Sequence, residues 1–331
     1  MSDDNTCVVD AVNYSFDPTY GYTLKQLLAI KQPHEPKDFD AFWQTRYQQA
    51  IRVDPRPQLR LINDNKDGRK IFEIRYTSTH EFPIRGWLTV PVSGTVKRGF
   101  IVGHGYGGRD GPDMHLPFTD AALLFPCFRG LALSKRAPIS TEPYWHVLHD
   151  INDKHRYILG GCVEDVWLAT SALLSLYPET QGRLGYLGIS FGGGIGALAL
   201  AWESRIRKGH LNIPTFGHQP LRLRLASNGS AHSVQHYYRH HKKATLSVLR
   251  YFDAALAAKR ITIPMHCACA LFDPCVTPPG QFAIYNAIAG DKKLLILDAG
   301  HSNYPNQAQQ EHELSNQLTV FFASLSDDTP D

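Results

Sequence analysis

The sequence predicts an α/β fold: a mostly parallel central sheet flanked by helices, with an N-terminal helical and antiparallel-strand extension. Three observations predict it. From residue 98 onward, short apolar runs alternate with longer stretches of helical period, the pattern of βαβ units. Before that point, three alternating or β-branched runs follow one another with only turn residues between them, as consecutive antiparallel strands do. The composition, 43% hydrophobic and 20% charged over 331 residues, is that of an ordinary globular protein. The length suits one large domain over 1–331, with an arm and helix over 1–56 and a core over 57–326.

Residues 1 to about 24 are polar, dotted with aromatics and without period, which reads as an extended arm. A helical pattern then runs from Asp38 to Ile51, and Pro55 and Pro57 stop it. The three antiparallel runs are Leu59–Ile62, Ile71–Thr77 and Ile84–Val92. The strands of the parallel part are expected at Gly99–Val102, Leu123–Phe128, Leu184–Leu187, Leu221–Ala226, Ile263–Leu271 and Leu294–Leu297. Helical stretches fall at about 157–177, 190–206, 277–289 and 306–325. In the first of these, Val163, Val166, Trp167, Ala169, Leu173 and Leu174 recur at roughly helical spacing, so one face is buried.

Several classes of partner are disfavoured. The formal charge is only +3, with acidic and basic residues spread along the chain and nothing that suggests a phosphate-binding surface, so nucleic acid is not an expected partner. No stretch of about 18 apolar residues suggests a membrane span. The start, Met-Ser-Asp-Asp-Asn-Thr-Cys, has neither a basic region nor an apolar core of signal-peptide length. Six irregularly spaced cysteines (Cys7, Cys127, Cys162, Cys267, Cys269 and Cys275) read as reduced, mostly buried thiols of a cytoplasmic protein. Cys267 and Cys269 would share one side of a strand within an apolar run, which favours core packing over metal ligation.

The chemistry concentrates at Gly188-Ile189-Ser190-Phe191-Gly192, a Gly-x-Ser-x-Gly pattern with a strand before it and a helix after it. A strand–serine–helix turn projects the hydroxyl above the sheet on a strained backbone, and flanking glycines remove the Cβ clashes. An unactivated hydroxyl is a poor nucleophile, so Ser190 needs a base. Of sixteen histidines, His301 has the right position, in the loop leaving the C-terminal end of a late strand, where catalytic groups of open α/β sheets gather. The orienting acid should end the preceding strand, and Asp273 does so; Asp298, three residues from His301, is the rival with poorer reach. His104-Gly105-Tyr106-Gly107-Gly108 follows another strand, and its glycines let the backbone curl towards the site. The Tyr106 N–H and the N–H after the serine, at Phe191, are the expected oxyanion donors.

These residues together resemble the acetyl xylan esterase and cephalosporin C deacetylase family of α/β hydrolases. The resemblance runs from Phe42-Trp43 to His301 and takes in Gly105-Tyr106-Gly107-Gly108-Arg109 and Arg129-Gly130. Its strongest stretch runs from Tyr251-Phe252-Asp253 through Asp273-Pro274-Cys275-Val276-Thr277-Pro278-Pro279 to Phe282-Ala283-Ile284-Tyr285-Asn286. It implies a triad of Ser190, Asp273 and His301, with an oxyanion hole from the N–H groups of Tyr106 and Phe191. It also implies removal of acetyl groups from small acetylated sugars, often from acetylated cephalosporins too, with no metal or organic cofactor. Homo-oligomers are a further implication, commonly hexamers whose active sites face an internal cavity. Three positions depart from the family pattern: Phe191 stands where Gln is usual, Ser302 where Glu is common, and Arg129–Ser134 is more apolar than expected. A larger apolar rim at Phe191 and 130–134 would favour longer acyl chains or hydrophobic alcohols.

Other features carry less. His236 and His240 have the spacing of a helical metal pair, in a basic, aromatic stretch with His232, Tyr237, Tyr238, His241, Lys242 and Lys243, but a third ligand is not evident. Trp145, His146 and His149 either line a substrate mouth or pack. Cys275 lacks the turn geometry of a nucleophile. The expected function is therefore a serine acetylesterase acting on a small-molecule ester. The alternatives are a general short-chain carboxylesterase with a non-sugar substrate, or a non-catalytic protein of the same fold.

Overall fold

The computed structural model describes residues 14–326; the first thirteen residues of the expected arm, with Cys7, lie outside them. The chain enters through two helices, α1 (Leu24–Leu28) and α2 (Phe39–Ala50), and an antiparallel meander of β1 (Gln58–Lys66), β2 (Arg69–Ser78) and β3 (Phe82–Pro91). β4 (Arg98–Gly103) and β5 (Ala121–Pro126) begin the parallel part, followed by α3 (Pro143–His146) and α4 (Ile158–Leu176). Then come β6 (Leu184–Ile189), α5 (Phe191–Leu200), β7 (Ile206–Asn212), α6 (Gln219–Arg222), α7 (Ala231–Leu249) and α8 (Ala254–Ala258). β8 (Met265–Phe272), α9 (Pro278–Ala287), β9 (Lys292–Ala299) and α10 (Gln307–Phe322) complete the described part. The nine strands lie in the order β1-β2-β3-β5-β4-β6-β7-β8-β9, antiparallel to β5 and parallel from β5 to β9.

The predicted extension and parallel sheet are both present, and one strand was expected in the wrong place. Leu221–Ala226 is not a strand. His218 takes a left-handed conformation and its ring nitrogen accepts the Leu221 N–H, and Pro220 sits in the first turn, so the chain opens α6 there. Within it, Arg222 is buried. The missing strand is β7, disguised by its charges; Ile206, Gly209, His210 and Leu211 are its buried residues, and it lies between β6 and β8. It begins where the helix expected over 190–206 was to end, because that helix stops at Leu200.

α4 is long and apolar enough to span a membrane by composition, contrary to the expectation that no such stretch exists, but 83% of its apolar window is buried within the fold. It packs between α2, α5 and the sheet. Two of its acids, Glu164 and Asp165, are buried yet compensated. Arg46 pairs with Glu164 at 2.7 Å, and Arg129 with Asp165 at 2.6 Å while also donating to Ser78 and Thr79. Trp43 fastens the N-terminal helix to this core. It is fully buried against Phe252 and Trp167, and its indole N–H donates to the Tyr251 carbonyl at 2.9 Å. Burying a large aromatic side chain contributes about 2–3 kcal/mol.

Sheet register does most of the work of assembling a site. Gly103 pairs with Gly188, which sets the loop after β4 beside the residue that follows β6. Phe272 pairs with Ala299, so Asp273 and the Gly300–His301 segment leave adjacent strands side by side.

Candidate active site

Ser190 stands between β6 and α5 with φ 52° and ψ −109°, a backbone strained for any residue with a side chain. The two flanking glycines are steric necessities. A Cβ on Gly188 would lie 2.4 Å from the Gly192 carbonyl oxygen, and one on Gly192 would lie 2.6 Å from the Gly103 backbone. Gly192 N–H donates to the His104 carbonyl at 2.9 Å, tying the elbow to the neighbouring loop.

His301 Nε2 lies 2.9 Å from Ser190 Oγ, and His301 Nδ1 lies 2.8 Å from Asp273 Oδ2. A carboxylate only accepts, so Nδ1 carries the proton and Nε2 is left to accept from the serine hydroxyl. Asp273 is wholly buried, and its other oxygen accepts the N–H groups of Cys275 and Val276, both at 2.8 Å. Gln281, also buried, donates to Oδ2 at 3.0 Å and to the Val276 carbonyl, and its own oxygen accepts from Ala270 N–H. The close approach of acid and imidazole requires Gly300, where a Cβ would meet Asp273 Oδ2 at 2.5 Å. Burial pulls the His301 imidazole down, but the hydrogen bond and charge of Asp273 overcome it, so its pKa stands above the ordinary value. Asp298 faces elsewhere: its carboxylate accepts from Asn306 at 3.1 Å.

The loop carrying Tyr106 is held by two histidines that sequence reasoning did not assign. Both are buried and kept neutral by burial, His104 lowered to about 3 and His146 to about 4. His104 donates through Nδ1 to the Gly105 carbonyl at 2.6 Å and accepts the Phe128 N–H at Nε2. His146 donates through Nε2 to the Arg129 carbonyl at 2.9 Å, which leaves Nδ1 to accept the Tyr106 hydroxyl at 3.0 Å. The signal for His104 was its place inside the glycine-rich loop. For His146 the sequence offers only a place at a mouth or in the packing, because its hydrogen-bond partners lie 17 and 40 residues away. The Phe191 N–H opens α5 and is one of the helix's orphan donors.

A hollow of about 490 Å³ opens over Ser190, bounded by Tyr106, Tyr144, Ile189, Ile213, Asn228 and Val276. Neither the Phe191 side chain nor residues 130–134 reach it. Phe191 is fully buried behind Tyr106, ring centroids 4.1 Å apart, and packs on Phe128 and Phe216. The rim expected from those residues is therefore made elsewhere, by Ile189, 42% exposed, and by α3, whose Tyr144 hydroxyl bonds the Asn228 carbonyl. Of the mouth candidates, Trp145 is 65% exposed, His146 packs inside, and His149 borders a separate hollow with Arg46 and Arg129. Cys275 lines the site with its thiol pushed up to about 11 by burial, away from the thiolate a nucleophile needs. His236 and His240 are exposed on α7 with their rings tilted at 5.5 Å, and among the described residues no group of three or more His, Cys, Asp or Glu could hold a metal ion.

Residues 22–319 match the family model described as acetyl xylan esterase (AXE1). Among solved structures, the acetyl xylan esterase from Paenibacillus sp. R4 superposes with a TM-score of 0.78 at 22% identity, covering 89% of this chain and 99% of that one. Acetyl xylan esterase 1 from Thermoanaerobacterium sp. JW/SL YS485 gives 0.77 at 19% identity, over 94% and 100% of the two chains. An acylaminoacyl peptidase from Pyrococcus horikoshii gives 0.60 at 14% identity, covering 80% of this chain and 49% of that one. At these identities the structural likeness speaks for the fold, which is the α/β-hydrolase fold.

Proposed function

The chain belongs to the acetyl xylan esterase family, and from that premise we propose that it is a serine esterase removing acetyl groups from small acetylated carbohydrates through an acyl-enzyme on Ser190. The observation that carries this reading is the hydrogen-bonded line from Asp273 through His301 to Ser190, at 2.8 and 2.9 Å. Ser190 Oγ attacks the ester carbonyl while its proton passes to His301 Nε2. The carbonyl electron pair moves onto oxygen, where the N–H groups of Tyr106 and Phe191 stabilise it; removing one such donor typically costs about a hundred- to a thousandfold in rate. Collapse expels the alcohol, which takes the proton from His301. A water then gives its proton to His301 and attacks the acetyl carbonyl, and acetate leaves as Ser190 recovers its proton. Asp273 stays ionised throughout and holds the imidazole in the required tautomer.

A second reading, a general short-chain carboxylesterase, is favoured by the apolar wall of Ile189, Ile213 and Val276 around a hollow larger than an acetyl group needs. Acetylated cephalosporins belong to the same proposal as alternative esters. So do a cytoplasmic location, which the free thiols of Cys127, Cys162, Cys267, Cys269 and Cys275 support, and a homo-oligomer. For the oligomer the support is β1, the edge strand, exposed along its whole length with Leu61 and Ile62 uncovered. The substrate question is tested by comparing acetate release from acetylated xylose with hydrolysis of p-nitrophenyl acetate and butyrate. Acetyl preference with sugar deacetylation is the expected result. Equal or better turnover of butyrate with untouched sugar acetates would move the protein to the second reading.

A further inference from the structure

Two hollows meet at Ile189. The first lies over Ser190 and holds the Tyr106 loop. The second, about 360 Å³, opens on the far side of Ile189, Ile213 and His301, against α10. Its make-up differs from the first. Leu297, Leu314 and Ile213 give an apolar floor, and Asn212, Asn303, Gln310 and Glu311 give a rim of amides and one carboxylate. An apolar floor can take the C–H face of a sugar ring, and amides with a carboxylate give and take the hydrogen bonds of its hydroxyls.

The rim groups are not consumed by the fold. Asn212 Oδ1 is buried without a hydrogen-bond partner among the described residues. Leaving a buried acceptor in that state is costly. Gln310 uses its oxygen to accept the Asp298 N–H at 3.0 Å, which leaves its NH2 as a donor. Glu311 Oε1 accepts from Gln307 at 2.8 Å, and its second oxygen is not engaged there.

The chemistry of the triad says which half of an ester this groove receives. The carbonyl oxygen must lie on the Tyr106 and Phe191 N–H groups, and the departing oxygen must lie against His301 Nε2 to collect its proton. The groove starts at His301 and contains neither oxyanion donor. It is therefore on the alcohol's side of the scissile bond. We propose that this second hollow is the alcohol subsite, shaped for a polyhydroxylated sugar ring, and that Ile189 is the wall dividing it from the acyl hollow. The inference rests on the esterase reading of Ser190 and deepens it by assigning the sugar its place.

The test uses the full-length enzyme with Asn303→Ala, Glu311→Ala and the conservative Glu311→Gln, all at exposed positions. The readout is the ratio of kcat/KM for acetylated xylose to kcat/KM for phenyl acetate, whose alcohol has no hydroxyls to read. Each alanine variant should lower that ratio about tenfold, the size of one lost hydrogen bond to substrate, and Glu311→Gln should restore much of it. A second readout needs no sugar ester. Free xylose should inhibit phenyl acetate turnover competitively, and more weakly in the alanine variants. If wild type deacetylates the sugar while neither readout moves in the variants, the subsite is wrong and the esterase reading stands. If wild type cleaves phenyl acetate through Ser190 yet ignores the sugar ester, both the sugar reading and the subsite fall.

Discussion

At the scale of single residues, the decisive quantity is the proton position on three imidazoles. His301 is poised by Asp273 with its pKa above the ordinary histidine value, and only its neutral form can take the Ser190 proton. Activity should therefore fall as pH drops through that pKa, and the acid limb should sit at higher pH than an unpaired histidine would give. Asp273→Asn removes the charge that raises the pKa. We expect its limb to move to lower pH, and kcat to fall about ten-thousandfold through loss of the tautomer; a pH–rate profile of both forms checks this. His146 acts one step back, through the Tyr106 hydroxyl. Replacing it with Leu should lower kcat roughly ten- to a hundredfold with little change in KM, because the oxyanion loop is misplaced while ground-state contacts survive. An unchanged kcat would make the His146 hydrogen bonds merely structural. Ile189→Ala should raise the butyrate-to-acetate ratio of kcat/KM roughly tenfold by opening the acyl hollow.

At the scale of elements, the site is a product of register and of glycines at forced approaches. Ser190, Asp273, His301 and Tyr106 were legible in the sequence because each sits at the end of a recognisable apolar run, where an open sheet gathers its loops. Gln281, His104 and His146 were not, since a buried polar side chain means nothing until its distant partners are known. The misplaced strand has the same cause. β7 looks polar because Lys208 sends its amine out to the Phe321 carbonyl while its backbone stays within the sheet. Arg129 is the element-scale counterpart of the triad: it ties β5's exit to α4 and to the end of β2 through Asp165, Ser78 and Thr79. Arg129→Leu leaves Asp165 buried without its counter-charge and should destabilise the fold by about 3–5 kcal/mol. Urea unfolding of the variant measures it, and a loss within about 0.5 kcal/mol, the range of a surface substitution, would mean that Asp165 finds another partner.

At the scale of the whole molecule, the extension serves the site as well as the sheet. The described part of the N-terminal arm crosses the loops that carry Asp273 and His301. The Tyr14 hydroxyl lies 3.1 Å from Ser302 Oγ, the Pro18 carbonyl accepts the Asp273 N–H at 3.1 Å, and the Tyr20 hydroxyl bonds the Ala226 carbonyl. Asp273 and the His301 loop thus leave adjacent strands and are strapped from outside by a segment that lies 255 to 288 residues earlier in sequence. The sequence could mark that segment as extended, but not where it lies, because its backbone and hydroxyl bonds and the edge-on contact of Tyr14 with Phe272 have partners more than 200 residues away. The central claim, that acetyl passes through Ser190, is tested most directly by acid-quenching the enzyme during turnover of p-nitrophenyl acetate and mapping the acetyl group by peptide mass spectrometry. The expected result is an acetylated Ser190, formed in a burst with p-nitrophenol, and neither label nor turnover in Ser190→Ala. Full turnover by Ser190→Ala, or an acetyl group trapped on another side chain such as Cys275, would contradict it.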